Sequence, residues 1–352
     1  MTFFDKSQPQ TESVFNDIIA LDFDYRPKLV PFRENHQFTI ASCIKPLFSN
    51  RPGKNLLIFG GPGVGKTVSL KHVLQEIGDE GMDDQVLPVY VNCWKNDSSY
   101  KIALSLCEQL GYKFTTGKNT NHLLREVIKL LNKQSTVICL DEADKLKEVD
   151  ALYSLVEDVQ RKTIILITND KSWYDQADTR LKSRFAIMEL SFAPYTFDEV
   201  AGILKQRCEY ALVPGVLDES AFELITQKTF DAKDLRKGLA FLREAGTIAE
   251  ESTTSKILLS HASSAIKSLS ASNIKEPLTS PNEKKILHLV KEEKDNRLVD
   301  LYDKFKTKHP KYEKSYKTFK RTIQSLEKKG VVKTKNVPMK QGGNSTLVEY
   351  LT

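Results

Sequence analysis

One stretch constrains the chain more than any other: Leu56-Leu57-Ile58-Phe59-Gly60-Gly61-Pro62-Gly63-Val64-Gly65-Lys66-Thr67. Its four leading apolar residues read as a buried strand. A glycine-rich turn follows, and Val68–Ile77 then reads as a helix with one apolar face. Strand, G-x-x-x-x-G-K-T and helix in succession make a phosphate-binding loop. The residue types answer to the chemistry. The glycines let backbone N–H groups converge on an anion, and the following helix adds the positive end of its dipole. Lys66 is placed to reach the β- and γ-phosphates, and the Thr67 hydroxyl to ligate magnesium. Gly61, Pro62, Gly63, Val64, Gly65, Lys66, Thr67 and Val68 are the expected cradle for ATP or ADP.

A nucleotide loop needs an acid on a second strand. Thr136-Val137-Ile138-Cys139-Leu140-Asp141-Glu142 supplies it, since an apolar run delivers two carboxylates to the carboxyl edge of a sheet. Asp141 is the expected magnesium ligand beside Thr67. Glu142 is the expected general base that polarises the attacking water. A third strand, Thr163–Thr168, ends in Asn169, whose amide is suited to orienting the same water. These patterns imply an α/β base with a parallel sheet and helices on both faces.

Composition bounds the remainder. A chain of 352 residues holds two or three domains, and 40% hydrophobic content is that of a globular protein. No run of eighteen apolar residues is present, so no membrane partner is expected. The amino terminus lacks a signal-peptide layout. Five scattered cysteines without C-x-x-C spacing read as reduced core residues of a cytoplasmic protein, and the six histidines do not cluster as a zinc site would require. Charge is unevenly placed. Residues 281–352 carry 18 Lys and Arg against 9 Asp and Glu, a balance of +9; the whole chain is +6, which leaves −3 for residues 1–280. A basic tail on a near-neutral body suggests a nucleic-acid-binding domain, the alternative being a solvated lysine-rich surface.

In order, Arg33–Leu47 has helical spacing with Phe38, Ile40, Cys43, Ile44 and Leu47 apolar. Val86–Val91 reads as a strand, and Tyr100–Leu110, Leu123–Asn132 and Asp150–Val159 as helices. Residues 196–269 read as all helix, beginning at a threonine cap and carrying Phe197, Val200, Ile203 and Leu204 on one side. Ser268–Pro281 is serine- and proline-rich and reads as a linker. Asn282–Glu292, Leu298–Lys308 and Ser315–Lys329 are amphipathic, with Gly330 ending the third. Val331–Lys335 and Ser345–Leu351 read as strands. The expected domains are a nucleotide-binding base at 1–192, a helical lid at 193–270, a linker at 271–281 and a terminal domain at 282–352.

The phosphate loop, the Asp-Glu strand and the strand-end asparagine together resemble the AAA+ ATPases. Further segments are similar to the archaeal relatives of the origin-recognition and cell-division-control replication initiators: Tyr25-Arg26-Pro27-Lys28-Leu29-Val30-Pro31-Phe32-Arg33-Glu34, Val91-Asn92-Cys93 with Tyr100-Lys101-Ile102, Asp234-Leu235-Arg236-Lys237-Gly238-Leu239, and Arg243–Glu250. The resemblance covers roughly residues 20–250. It implies that Val30, Pro31 and Arg33 flank the adenine, and that Arg236 is a lid arginine swinging over the phosphates. It also implies an arginine finger acting on a neighbouring chain's nucleotide. Arg184, in Ser-Arg-Phe, fits the general pattern best, while Arg180 matches the initiators except that Thr179 replaces a proline. Family members carry a DNA-touching insertion near Gly111–Thr120, where Lys113, Lys118 and Asn119 are candidates; an ordinary surface loop is the alternative.

Three helices followed by a hairpin look like a winged helix, whose third helix enters a major groove. Its apolar stripe faces the core, and the other face offers Ser315, Tyr316, Lys317, Thr318, Lys320, Arg321 and Gln324. The wing adds Lys333, Lys335 and Lys340. The lysines suit phosphates, while Arg321, Gln324 and Thr318 suit bases. The expected protein is an ATP-dependent, nucleoid-associated replication initiator with slow regulatory hydrolysis. Its expected partners are duplex origin DNA, the replicative helicase and related initiator chains. Two rivals share these parts: a target-selecting ATPase of a transposition system, and a switch ATPase whose winged helix binds protein.

Overall fold

Leu56–Phe59 forms strand β1, one of five in a parallel sheet. The others are β2 (Val86–Asn92), β3 (Ser135–Asp141), β4 (Lys162–Thr168) and β5 (Met188–Ser191). Their order is β2-β3-β4-β1-β5. This computed structural model describes residues 13–25, 27–82, 84–273, 286–290, 297–308, 316–328, 332–338 and 344–350. Outside the described residues lie the polar start (1–12), Arg26, residues 274–281 of the expected linker, the start of the first tail helix (282–285), Ser315, Gly330 and Lys340; residues 271–273, expected in that linker, belong instead to a helix.

Side chains alternate across a strand, so the inner strands feed two cores. Leu57, Ile138, Leu140, Ile164 and Leu166 pack against helices Ser99–Gln109, Thr120–Leu131 and Asp150–Asp158. Leu56, Ile58, Val137, Cys139, Ile165 and Ile167 face helices Glu34–Ile44 and Lys66–Asp79. Every residue of β3 is buried, as covering on both faces demands. Phe38, expected on the buried stripe of its helix, is 74% exposed; Ile40, Cys43, Ile44 and Leu47 form that stripe at i, i+3, i+4 and i+7, and Phe38 is out of phase with it. The sequence pattern had not marked β5. It is four residues long with only alternate residues half-buried, because it pairs on one side alone, with β1.

All neighbours in the sheet run parallel, so β1, β3 and β4 end at the same edge. That edge receives the phosphate loop, the Asp-Glu pair and Asn169. The connections from the neighbours β1 and β4 leave in opposite directions across the sheet, to β2 and to β5, and such a switch point leaves a crevice beyond the strand ends.

The helical segment follows. Thr196 caps Phe197–Ala211 with a full capping box, Thr196 and Glu199 each accepting the other's backbone N–H. Phe197, expected inside, is half-exposed and meets Phe230 edge-on at 5.8 Å. Helices Glu219–Ala232, Leu235–Glu251 and Leu259–Asn273 complete the set. Residues 13–25 lie against these helices rather than against the sheet. Asn16 and Asp17 donate backbone N–H to the Ala211 carbonyl, and Val213 donates to that of Val14. The Phe15 ring fills the space over Gly246 that a Cβ would need, and Arg207 donates to the carbonyls of Ala20 and Tyr25.

The chain divides after Lys267 into two compact units. In the second, Leu298–Lys308 and Tyr316–Lys328 are helices, and β6 (Val332–Pro338) pairs antiparallel with β7 (Asn344–Tyr350). Its core gathers Ile286, Leu289, Leu301, Phe305, Phe319, Ile323, Leu326 and Val348. Phe319, Ile323 and Leu326 are the i, i+4, i+7 stripe of the Tyr316–Lys328 helix, and Lys317, Lys320, Arg321 and Gln324 lie exposed on its other side.

Candidate nucleotide site

At the sheet's carboxyl edge opens a cavity of about 290 Å³, walled by the phosphate loop, the Asp-Glu turn, the Phe23–Pro31 segment and two lid helices. Val30, Pro31, the loop from Pro62 to Val68, Asp141, Glu142, Asn169 and Arg236 all line it.

The loop's shape depends on two left-handed glycines. Gly63 (φ 68°) lies directly beneath Asp234 of the lid, whose Oδ1 would be 1.9 Å from any added Cβ. Gly65 (φ 91°) faces the Tyr195 hydroxyl, 2.4 Å from where a Cβ would sit. An alanine at either place meets both backbone strain and a collision.

Lys66 Nζ donates to the carbonyls of Gly60 (2.8 Å) and Gly61 (2.7 Å) and to Asn169 Oδ1 (2.8 Å). Burial lowers its pKa to about 8, against the pull of nearby Asp141. Thr67 Oγ1 donates to Asp141 Oδ2 at 2.8 Å, and the Glu142 N–H donates to Asp141 Oδ1 at 2.8 Å. Glu142 itself stands in the left-handed region (φ 56°), a conformation that costs a non-glycine residue about 1–3 kcal/mol and gathers at functional sites. Burial, then the charges of Asp141 and Asp144, hold its carboxyl above the usual range. Such a shift suits a proton acceptor. Arg236 makes a two-pronged pair with Asp234, Nε to Oδ1 and Nη2 to Oδ2, both at 3.0 Å. A guanidinium so paired borders the cavity with its charge partly matched by its own neighbour.

Arg33 takes a different place from the adenine-flanking one expected. It is 4% exposed and does not line the cavity. Its guanidinium stacks on Tyr195 at 3.8 Å and donates to the carbonyls of Val64 (3.0 Å) and Ala193 (2.7 Å). It braces the phosphate loop from behind. Gly61 also stands outside the lining, offering its carbonyl to Lys66. Arg180 and Arg184 lie on helix Thr179–Phe185, away from the cavity; Arg184 is ion-paired with Glu157 and Arg180 is exposed.

Residues that pattern reading missed complete the site. Asp144 Oδ1 accepts from Thr168 Oγ1 at 3.1 Å and from the Asn169 N–H at 3.5 Å, holding the end of β4 where Asn169 meets Lys66. Its position three residues after Asp141 was the available signal. Tyr90 donates to Asp141 Oδ2 at 2.6 Å. Gln206 and Arg207, from the first lid helix, also line the cavity. No local motif marks them.

Elsewhere, Asn119 caps helix Thr120–Leu131 by accepting from the His122 N–H at 2.9 Å, while Lys113 and Lys118 are exposed. Tyr316, Lys317, Lys320, Arg321 and Gln324 are exposed, Thr318 is half-buried, and Lys333 and Lys335 are exposed on β6. Among the described residues, no helix is long and apolar enough to cross a membrane.

Comparison with known proteins agrees with this architecture. Residues 50–171 match the AAA domain, and 201–267 match the Cdc6 AAA+ ATPase-type lid domain. The ORC1-type DNA replication protein of Pyrococcus furiosus is 30% identical over 298 residues, covering 79% of this chain and 71% of that protein. The chain belongs to the ORC1-type DNA replication protein family. ORC1-type DNA replication protein 2 of Methanothermobacter thermautotrophicus is 27% identical over 96% of this chain and 92% of its own length. Among solved structures, the Aeropyrum pernix ORC1 protein in complex with DNA superposes with a TM-score of 0.82 at 26% identity, covering 96% of this chain and 93% of that one. As an ORC1-type chain it is an AAA+ ATPase of the replication-initiator class, which separates it from the transposition and protein-docking switch ATPases that share its parts.

Proposed function

We propose that the chain binds ATP and ADP in the sheet-edge cavity, hydrolyses ATP slowly, and uses the bound state to set the posture of a DNA-binding surface at replication origins. The observation that carries the nucleotide reading is the convergence of Lys66, the Thr67–Asp141 pair, Glu142, Asn169 and Arg236 on one cavity. A divalent magnesium ion fits the donor set. Thr67 Oγ1 and Asp141 are oxygen donors in mutual contact at the cavity wall, the few protein ligands this cation takes when phosphates supply the rest. When bound, the ion neutralises charge building on the phosphates. The chain's residues do the remainder. The loop's N–H groups and Lys66 hold the phosphates, Glu142 takes the proton of the attacking water, Asn169 orients that water, and Arg236 steadies charge from the lid. Val30 and Pro31 border the nucleobase. Arg184, or Arg180 on the same helix, acts on the nucleotide of a neighbouring initiator chain.

The division of labour follows: a base up to about residue 192, a lid to the end of helix Leu259–Asn273, a linker from there to 281, and a winged-helix domain at 282–352. The basic tail, the exposed Lys317, Lys320, Arg321 and Gln324, and the likeness to an ORC1 protein held on DNA support duplex binding by that last domain. Tyr316, Thr318, Lys333 and Lys335 flank this face, and Ser315 and Lys340 extend it in the sequence. Lys113 and Lys118 offer a second contact from the first unit; Asn119, engaged as a helix cap, offers less. The replicative helicase is the further partner, in the cytoplasm at the nucleoid. The test is duplex binding by the full chain and its Lys320→Ala/Arg321→Ala variant across a salt series. A loss of affinity with a flatter salt slope in the variant supports the reading. Equal affinity and slope would remove this helix from the DNA interface.

A further inference from the structure

We propose that Tyr90 is the positioning residue for the metal-ligating carboxylate of Asp141, and that its hydroxyl sets the site's affinity for a divalent cation. The inference rests on the ATP–magnesium reading above and adds to it a residue from the sheet's edge strand.

Asp141 is 2% exposed and receives three donors. One is the backbone N–H of Glu142, on Oδ1. The other two share Oδ2: Thr67 Oγ1 at 2.8 Å and Tyr90 Oη at 2.6 Å. Thr67 is itself offered as a metal ligand. Tyr90 is the side-chain donor with no such second duty, so it pins Oδ2 and leaves the open acceptor site on Oδ1, with the Thr67 site on Oδ2, for a cation. A ligating carboxylate held this way presents a fixed direction and a tuned basicity, and such outer partners contribute strongly to metal affinity.

Tyr90 is in turn built to hold still. Its backbone pairs with Cys139 of β3 on one side. On the open side of β2, where an edge strand leaves its backbone unpaired, Gln109 closes the gap. The Tyr90 N–H donates to Gln109 Oε1 and Gln109 Nε2 donates to the Tyr90 carbonyl, both at 3.0 Å. Lys71 Nζ sits 5.0 Å from the ring centroid, and the ring packs against the buried cluster below the phosphate loop. Next along β2, Asn92 lines the same cavity, its Oδ1 held by the N–H groups of Trp94 and Lys95. The aromatic body and the hydroxyl thus have separable roles, packing and positioning.

Tyr90→Phe separates them, because it keeps the ring and removes only the donor. The measurement is binding of a fluorescent ATP analogue to the full chain, first in excess EDTA and then across a magnesium series, with the thermal midpoint recorded alongside. The expected result is a metal-free Kd and a midpoint close to those of the wild type, with half-saturating magnesium raised about tenfold. Half-saturating magnesium within twofold of the wild type overturns the proposal. So does a metal-free affinity that falls by the same factor, since that would make Tyr90 scaffold alone. A wild-type chain that binds no nucleotide in EDTA or magnesium overturns the ATP reading itself, and this inference with it.

Discussion

The nucleotide cavity and the exposed face of the Tyr316–Lys328 helix use polar groups in opposite ways. In the cavity nearly every named side chain already holds another: Lys66 is on Asn169, Thr67 and Tyr90 on Asp141, Asp144 on Thr168, and Arg236 on Asp234. On the helix, Lys317, Lys320, Arg321 and Gln324 stand out toward solvent from an apolar stripe. A small anion is bound by preorganised groups whose positions are set by the protein. A duplex is bound by charges free to follow its backbone, and affinity there grows with the number of phosphates met. The first kind of site is damaged by removing one atom; the second erodes contact by contact.

That contrast sets the expected sizes of effect. The largest belongs to Glu142→Gln, which is expected to bind ATP like the wild type and lose about 10²–10⁴-fold in turnover, the usual worth of a general base. Single-turnover hydrolysis beside equilibrium binding checks it. Parallel losses in both would show that Glu142 shapes the cavity rather than the chemistry. Next is Lys66→Ala. Removing a charge-assisted contact with the phosphates costs on the order of 3 kcal/mol, about 100-fold in ATP affinity. Equal affinity in the two proteins would refute the phosphate-loop assignment.

The helix face should yield smaller steps. Each phosphate contact removed is expected to lower the salt slope of duplex binding by about 0.9, so Lys320→Ala/Arg321→Ala should lower it by about 2 if both cations meet phosphates. ATP affinity should not change. A coupled loss of ATP binding would erase the contrast between the two regions.

The smallest effect is a pH dependence. Burial lowers the Lys66 pKa to about 8. Below that pH the side chain is an ammonium, which phosphates favour; above it the free protein carries a neutral amine and must take up a proton to bind. ATP affinity is therefore expected to be flat below about pH 8 and to fall by up to tenfold per unit above it. Titrations between pH 7 and 9.5 measure this. The same slope in the Lys66→Ala protein would assign the effect to another group.

Much of the nucleotide site was legible because the phosphate loop packs its chemistry into consecutive residues. Asp141 and Asn169 were legible for a related reason: each ends an apolar run, and parallel strands bring their carboxyl ends to one edge. The helix Leu298–Lys308 was readable to the residue from its apolar period. By contrast, Arg33 looked like a cavity residue because it adjoins Val30 and Pro31 in sequence. Its real partners are Val64 and Ala193, 31 and 160 residues away. Residues 13–25 were grouped with the base by order along the chain, yet hydrogen-bond to Ala211 and Leu212.

Local pattern was therefore enough for four of the sheet's five strands, the phosphate-loop turn and the amphipathic helices of the tail. Each of these follows from spacing within a dozen residues, where backbone geometry ties sequence offset to direction. It was not enough for the brace behind the loop, the strap across the lid, or Tyr90 on Asp141, which is 51 residues distant. Those contacts depend on which strands become neighbours and how a lid folds back, and close packing chooses among such pairings only when the whole chain is assembled.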